Sequence, residues 1–346
     1  MNDQNSKRVT LKILAEKLGV STMTVSRALN DHPDISQATK DKIKHLAEEL
    51  NYRPNIIAKS LVQKRTNTIG VIFPEITFSF FPEVLKGIEE VAYQSGFHVI
   101  ITISDDQSER EKEAIQSLEA KQVDGILISI AQNTTDPAPF LNLKNENIPF
   151  VFFDRYINGF DANRVLINDR QGAFDLTNHL AKLGYKTIGH LTGPMSVSIC
   201  RDRMTGYREA LKANHLKFNQ EFVIETCFDE QSGYQAMQTL LNKAKLPQAV
   251  FAATDPMAIS AMQAIKEANF KIPDDIALVG FADLASASIV EIPLTTMRQP
   301  AYEMGKISTT ILIEDIKNKE STYDKKIILE TELIIRESCG YRKLKI

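Results

Sequence analysis

Arg27 carries a planar cationic fork, with Ser26 beside it, Met23 four residues back and Thr22 five. At the 3.6-residue period of a helix these side chains gather on one face when Val25, Ala28 and Leu29 form the buried one. The chemistry open to such a face is recognition rather than bond making. A guanidinium can donate two hydrogen bonds to a guanine edge, and an uncharged first turn lets a helix end enter a major groove. No catalytic set competes with it. The six histidines, His32, His45, His98, His179, His190 and His215, show no metal spacing, and no nucleophile elbow or phosphate loop is present. Asp105-Asp106 and Asp274-Asp275 are adjacent acids of the kind that form solvated turns. We expect no enzyme, no metal site and no cofactor.

The elements that must hold the Arg27 face are readable around it. Leu11, Leu14, Ala15 and Leu18 fall at i, i+3, i+4 and i+7, one buried stripe, and Gly19 then interrupts the pattern. Ser21 is a good N-cap for a second helix set across the first, which makes a helix-turn-helix. Turn and period alone also admit, as the lesser reading, a helical hairpin from any small bundle. A third helix capped by Ser36 carries Ile43, Leu46, Ala47 and Leu50 at helical spacing, and Asn51-Tyr52-Arg53-Pro54 stops it. The eight residues Asn55 to Val62 are too few for a stable isolated helix, since helices below about 12–15 residues are marginal in water.

The stretch VTLKILAEKLGVSTMTVSRALND, followed by ELNYRPNIIAKSLVQKRTNTIGVIFPEI and, near the end, ETELIIRESCG, resembles the lactose/galactose-repressor (LacI/GalR) family of transcriptional regulators. The resemblance implies that Thr22, Met23 and Arg27 read bases while Ser21, Thr24, Ser26, Asn30 and Tyr52 meet phosphates. It also implies a hinge helix with Asn55, Ala58, Lys59 and Leu61 toward the minor groove. Leu61 matches the apolar wedge that opens a base step, and such a wedge kinks the duplex. Read by themselves, Lys59 is a phosphate neighbour or a solvated linker charge, and Leu61 fits such a wedge, with an ordinary buried leucine as the alternative.

Composition agrees with two kinds of domain. A chain of 346 residues exceeds the usual single domain. Its net charge of −3 hides a division: twelve Lys/Arg and seven Asp/Glu precede Asn67, and 29 and 37 follow it. The basic end suits nucleic acid and the acidic remainder does not. Cys200, Cys227 and Cys339 are odd in number and far apart, as in a reducing compartment, and neither a signal peptide nor a membrane span is readable. We expect a cytoplasmic protein.

From Thr68 onward, short β-branched runs alternate with helical stretches, the pattern of parallel sheets flanked by helices. The expected fold is therefore an all-α helix-turn-helix headpiece (1–53), a hinge and linker (54–66) and an α/β core (67–341). The resemblance implies that this core is two-lobed, like periplasmic binding proteins, with crossing late segments. The N-terminal lobe is expected at about 67–162 plus 293–324, and the C-terminal lobe at about 163–292 plus 325–341. No helix is expected between the strands Gly125 to Ile130 and Phe150 to Phe153.

Ligands of open α/β sheets bind beyond the carboxyl ends of strands, which directs attention to the loops there. Phe78 and Phe80 follow the first strand of the core and suit stacking on a sugar or base, although Phe80 and Phe81 equally suit packing on the sheet. Asp154 and Arg155 end the fourth strand, where they either hold hydroxyls or pair with one another. By resemblance Arg201 faces the effector, and Thr254, Asp255, Asp283 and Gln299 occupy further cleft positions. Ala282 stands where the family often has an acid, one acceptor fewer. The expected function is a sequence-specific DNA-binding regulator, a repressor controlled by a small molecule, with a sugar as the expected class. It acts as a homodimer on a palindromic operator. The alternative is a solute-binding protein of a transport system.

Overall fold

The computed structural model describes residues 9–53, 65–318 and 323–341. The hinge positions Asn55, Ala58, Lys59 and Leu61 lie outside the described residues. The chain divides into two compact units, Met1–Thr66 and Asn67–Ile346.

In the first unit, α1 (Leu11–Leu18), α2 (Thr22–Leu29) and α3 (Gln37–Glu49) enclose Leu14, Val25, Ala28 and Ile43, each 1 % exposed or less. Hydroxyls start all three: Thr10, Ser21 and Ser36 each accept from an amide in the first turn of their helix. Gly19 ends α1 at φ 65°, a left-handed position that costs glycine nothing, and Val20 N donates to Ala15 O at 3.1 Å to close the cap. One residue later Ser21 begins the next helix. That short left-handed turn is what sets α2 across α1.

The second unit is built on two parallel sheets. The first orders its strands β11-β5-β4-β3-β1-β2, from β1 (Thr68–Phe73), β2 (His98–Ile103), β3 (Gly125–Ile128), β4 (Phe150–Phe153), β5 (Asn163–Ile167) and β11 (Lys326–Leu329). The second orders them β7-β6-β8-β9, from β6 (Ile188–Thr192), β7 (Val223–Glu225), β8 (Ala249–Ala252) and β9 (Ala277–Val279). Inner strands such as GILI and FVFF are buried throughout because helices cover both faces, whereas edge strand β2 has no buried position and is exposed at His98 and Ile101. The helices are α4 (Phe80–Gln94), α5 (Ser108–Ala120), α6 (Ala138–Asn145), α7 (Asp169–Lys182), α8 (Ser198–Ala213), α9 (Glu230–Leu241), α10 (Asp255–Glu267) and α11 (Ala301–Asn318).

Two expectations need correction. The lobe boundary near 163, and within 325–341 the assignment of Lys326–Leu329 to the C-terminal lobe, fail by sheet membership, whereas Ser338 donates to Leu278 O of the second sheet as expected. Strand β5 pairs β4, and β11 pairs β5 from Lys326 opposite Arg164, so both complete the first sheet. Conversely Thr295, at the start of β10 (Thr296–Arg298), bridges Val279 of the second sheet, and β10 pairs β12 (Glu332–Ile334). The chain thus crosses between sheets near residues 168, 299 and 330. The second correction is helix α6, which starts after Pro137 with Phe140 and Leu143 buried. Asp136 accepts from Ala138 N at 2.9 Å, so an Asp-Pro helix start was legible there.

Helix α4 meets α11 so closely that a Cβ on Gly87 would lie 2.1 Å from Tyr302 O, and one on Gly305 2.0 Å from Val84 O. Within the second sheet, His190 is fully buried, its ring stacked 4.5 Å from that of Phe251 and Nδ1 2.8 Å from the Phe251 carbonyl, to which it donates. Burial drives its pKa down from the usual 6.5 to about 4. The unfolded chain therefore takes up a proton near pH 6.5 that the folded chain refuses. This contribution to stability is complete above that pH and is lost as pH falls through about 4, by roughly 3 kcal/mol. His190→Phe should flatten that part of the acid limb in urea unfolding between pH 7 and 4. Parallel losses in variant and parent would refute it.

Candidate DNA interface and ligand cavity

In the first unit, Thr22, Met23 and Arg27 are exposed on α2, with Met23 63 % exposed, and Ser26 and Thr24 are half-buried beside them. Ser21 Oγ accepts from Thr24 N at 3.0 Å, fixing the start of the helix. Arg27 lies 3.6 Å from Asp34, both half-exposed. Exposed pairs are worth about 1 kcal/mol or less, so Asp34 does not hold the guanidinium against a competing base edge. Asn30 ends α2 by donating to Ser26 O at 2.8 Å, and Tyr52 packs partly buried against the headpiece core.

In the second unit a cavity of about 650 Å³ opens at the carboxyl ends of the strands. Of the residues expected there, Phe78, Phe80, Asp154, Arg155, Thr254 and Gln299 line it. Arg201, Asp255 and Asp283 do not, and each has another task. Arg201 turns back to donate to the carbonyls of Met195 and Ser196. Asp255 is buried and accepts from Thr296 Oγ1 and Leu284 N, holding the loop after β9. Asp283 pairs with Arg298 at 2.8 Å and Arg336 at 2.6 Å.

On α8 the arginine that lines the cavity is Arg203, two residues beyond the expected Arg201. Two residues turn a helix by about 200°, so on α8 only one of the pair can point inward. Arg203 is 1 % exposed, donates from Nε to Asp169 at 2.7 Å and from Nη1 to Ala253 O, and its guanidinium carbon lies 3.8 Å from the centre of the Phe281 ring. Also unanticipated were Asp106, Gln132 and Phe228. Asp106 accepts from Gln132 N at 2.8 Å and from Arg155 at 2.7 Å, which fastens the loop after β2 to those after β3 and β4. The ring of Phe228, from the second lobe, lies 4.8 Å from the guanidinium of Arg155 in the first, and Ser196 donates to Gln132 O at 3.1 Å. Each is a strand-end loop residue. That position was the available signal, but which loops converge was not.

Backbone and charge mark the same place. Asp105, Asp106 and Asp154 adopt left-handed conformations, at φ 49°, 57° and 61°, of a kind that concentrates at functional sites. Burial pushes the Asp154 carboxyl above its usual range against the pull of Arg155 and Arg203. Gln132 Oε1, Gln299 Oε1 and Arg155 Nε are buried without a hydrogen-bond partner, the nearest carboxylate oxygen to that Nε being Asp154's at 3.7 Å. Buried polar atoms are almost always satisfied by protein, water or ligand, so these three mark a polar stretch of the cavity wall.

A helix-turn-helix with an exposed guanidinium, on one chain with a two-lobed α/β core that holds a polar cavity, defines a ligand-responsive DNA-binding protein. Residues 10–55 match the lacI family of bacterial regulatory proteins, and residues 177–339 match a periplasmic binding protein-like domain. The chain belongs to the lacI family of transcriptional regulators. It is 32 % identical to the ribose operon repressor of Haemophilus influenzae over 95 % of this chain and 98 % of that protein. It is 35 % identical to the HTH-type transcriptional regulator RegA of Clostridium saccharobutylicum over the same shares. Among solved structures, the lac repressor dimer bound to operator and the anti-inducer ONPF superposes with a TM-score of 0.86 at 29 % identity, over 96 % of this chain and 99 % of that one. A complex of the transcriptional regulator CelR with cellobiose gives 0.73, also at 29 % identity, over 96 % and 100 %. A solute-binding protein for transport needs no helix-turn-helix, and these relatives are regulators rather than enzymes.

Proposed function

We propose that this regulator represses transcription from a palindromic operator as a cytoplasmic homodimer, and that a sugar or sugar derivative in the cavity sets its affinity for DNA without being turned over. The cavity with its three unpaired polar atoms is the observation that carries the control by ligand. Likeness to a ribose operon repressor and to a regulator in complex with cellobiose supports the class of ligand. On α2, Thr22, Met23 and Arg27 read bases, while Ser21, Thr24, Ser26, Asn30 and Tyr52 face phosphates. Residues 54–66 act as the hinge between headpiece and core, with Asn55, Ala58, Lys59 and Leu61 in the minor groove.

The mechanism is linkage. A ligand that prefers one angle between the lobes shifts the population toward it, and the paired half-sites sense the spacing of the two headpieces. Half-sites lie about 34–36 Å apart, so a moderate displacement releases DNA. Selection of genomic fragments by the purified chain at physiological salt tests the reading: it should recover a palindrome, whose binding a sugar alters. Recovery of nothing above background, with or without sugars, would overturn it. Arg27→Ala should then cost about 1–3 kcal/mol at one base pair of each half-site. A uniform loss across all sequences would instead place Arg27 on a phosphate.

A further inference from the structure

We propose that the cavity selects an uncharged, hydroxyl-rich ligand and rejects anionic sugars such as uronates and sugar phosphates. The proposal rests on the sugar reading above and narrows it by charge. Six carboxylates line the cavity, those of Glu75, Asp105, Asp106, Asp154, Asp229 and Glu230, against two guanidiniums, and no lysine or histidine is among the lining residues. Both guanidiniums are committed. Arg203 is engaged by Asp169 at 2.7 Å, and Arg155 by Asp106 at 2.7 Å. Burial raises the pKa of Asp154 and of Glu75. Even with those two counted as protonated, and Asp105 held by Arg110 from outside the lining, Asp106, Asp229 and Glu230 face two arginines that already have partners.

Backbone donors do not redress the balance. Of the helix starts bordering the cavity, α9 is capped by Asp229, which accepts from Ser232 N, and α10 by Thr254, which accepts from Met257 N. Only α8 among these combines an uncapped start with no acidic residue in its first turn. A helix N-terminus offers about half a unit of positive charge, too little to offset the surrounding acids.

The orphaned atoms specify the complement. Gln132 Oε1 and Gln299 Oε1 need donors, and Arg155 Nε needs an acceptor. A hydroxyl group serves both needs. A carboxylate or phosphate only accepts, and would bring another negative charge beside Asp106 and Asp154. Phe78, Phe80 and Phe228 supply flat apolar surface for the carbon face of a sugar ring.

The test uses the full-length protein and matched series: neutral pentoses, hexoses and disaccharides, each with its uronate and its terminal phosphate. Thermal melting finds binders, and calorimetric titration ranks them. We expect a neutral member to bind, with its charged counterparts weaker by about 100-fold or more, as several kcal/mol of like-charge repulsion requires. A uronate or phosphate that binds more tightly than its neutral parent overturns the charge selection and leaves the sugar reading intact. Absence of binding by every member of both series overturns the sugar reading, and the inference with it.

Discussion

Replacing Arg203 with leucine is expected to destabilise the core by about 3–5 kcal/mol, because removing one partner of a buried ion pair leaves the other charge without compensation. Arg203 and Asp169 have side chains 2 % and 5 % exposed, 2.7 Å apart. The same guanidinium stacks on Phe281 and donates to Ala253 O, so it joins α7, β8 and the loop after β9. Without it Asp169 must shed its charge or draw in water. Burial already pushes that carboxyl up to about 7 even with Arg203 beside it, and loss of the guanidinium raises it further. An acid whose folded pKa is raised contributes its stability at low pH and loses it as pH rises through that value. The deficit of Arg203→Leu, measured by urea unfolding, should therefore be larger at pH 8 than at pH 5.5. Adding Asp169→Leu should recover much of it, since an apolar pair of similar volume avoids the desolvation of two charges. A deficit below 1 kcal/mol at pH 8, or none recovered in the double variant, would show that the pair is not what ties these elements together.

Arg155→Met should weaken binding of the effector by about 100-fold or more, because truncating one member of a buried, hydrogen-bonded charge pair at an interface costs about 2–5 kcal/mol. Arg155 is 5 % exposed, held by Asp106 at 2.7 Å, lines the cavity beside Phe228, and has its Nε buried and unpaired. Its loss removes a donor for the ligand and leaves Asp106 and Asp154 facing one another. The concentration of effector that shifts operator binding should move by the same factor, with the melting temperature as a check on folding. Arg155→Lys should not restore affinity, since an ammonium cannot keep the planar fork that reaches both the acid and the ligand. Wild-type affinity in either variant would remove Arg155 from the site.

The local elements were legible because their determinants are local. Ser21 and Ser36 announce helix starts by capping, Gly19 announces the turn by its left-handed backbone, and the stripe Leu11, Leu14, Ala15 and Leu18 announces a buried face. Strands such as FVFF declare themselves buried on both sides by lacking any alternation. The missed helix Ala138–Asn145 belongs with these, since Asp136 and Pro137 carried the signal. Phe78, Phe80, Asp154 and Arg155 could be placed at the cavity because strand-end loops are where an open α/β sheet admits a ligand, and Thr254 and Gln299 by family resemblance.

What the sequence by itself determined, then, is a helix-turn-helix with Arg27 on the outer face of its second helix, a basic first unit, and an alternating α/β core whose cavity lies at strand ends. Tertiary structure alone decided which strands share a sheet. Asn163–Ile167 looks like the start of a new lobe along the chain, yet it completes the first sheet because Lys326–Leu329 returns from 160 residues away to pair with it. It also decided that Arg203 rather than Arg201 faces the cavity, and that Phe228 meets Arg155 across the lobes. The physical reason is common to all three. Helix caps, turns and apolar periods are set by neighbours within a few residues, whereas pairing of parallel strands and convergence of loops depend on contacts between distant segments, whose geometry exists only once the chain has crossed between its sheets and packed.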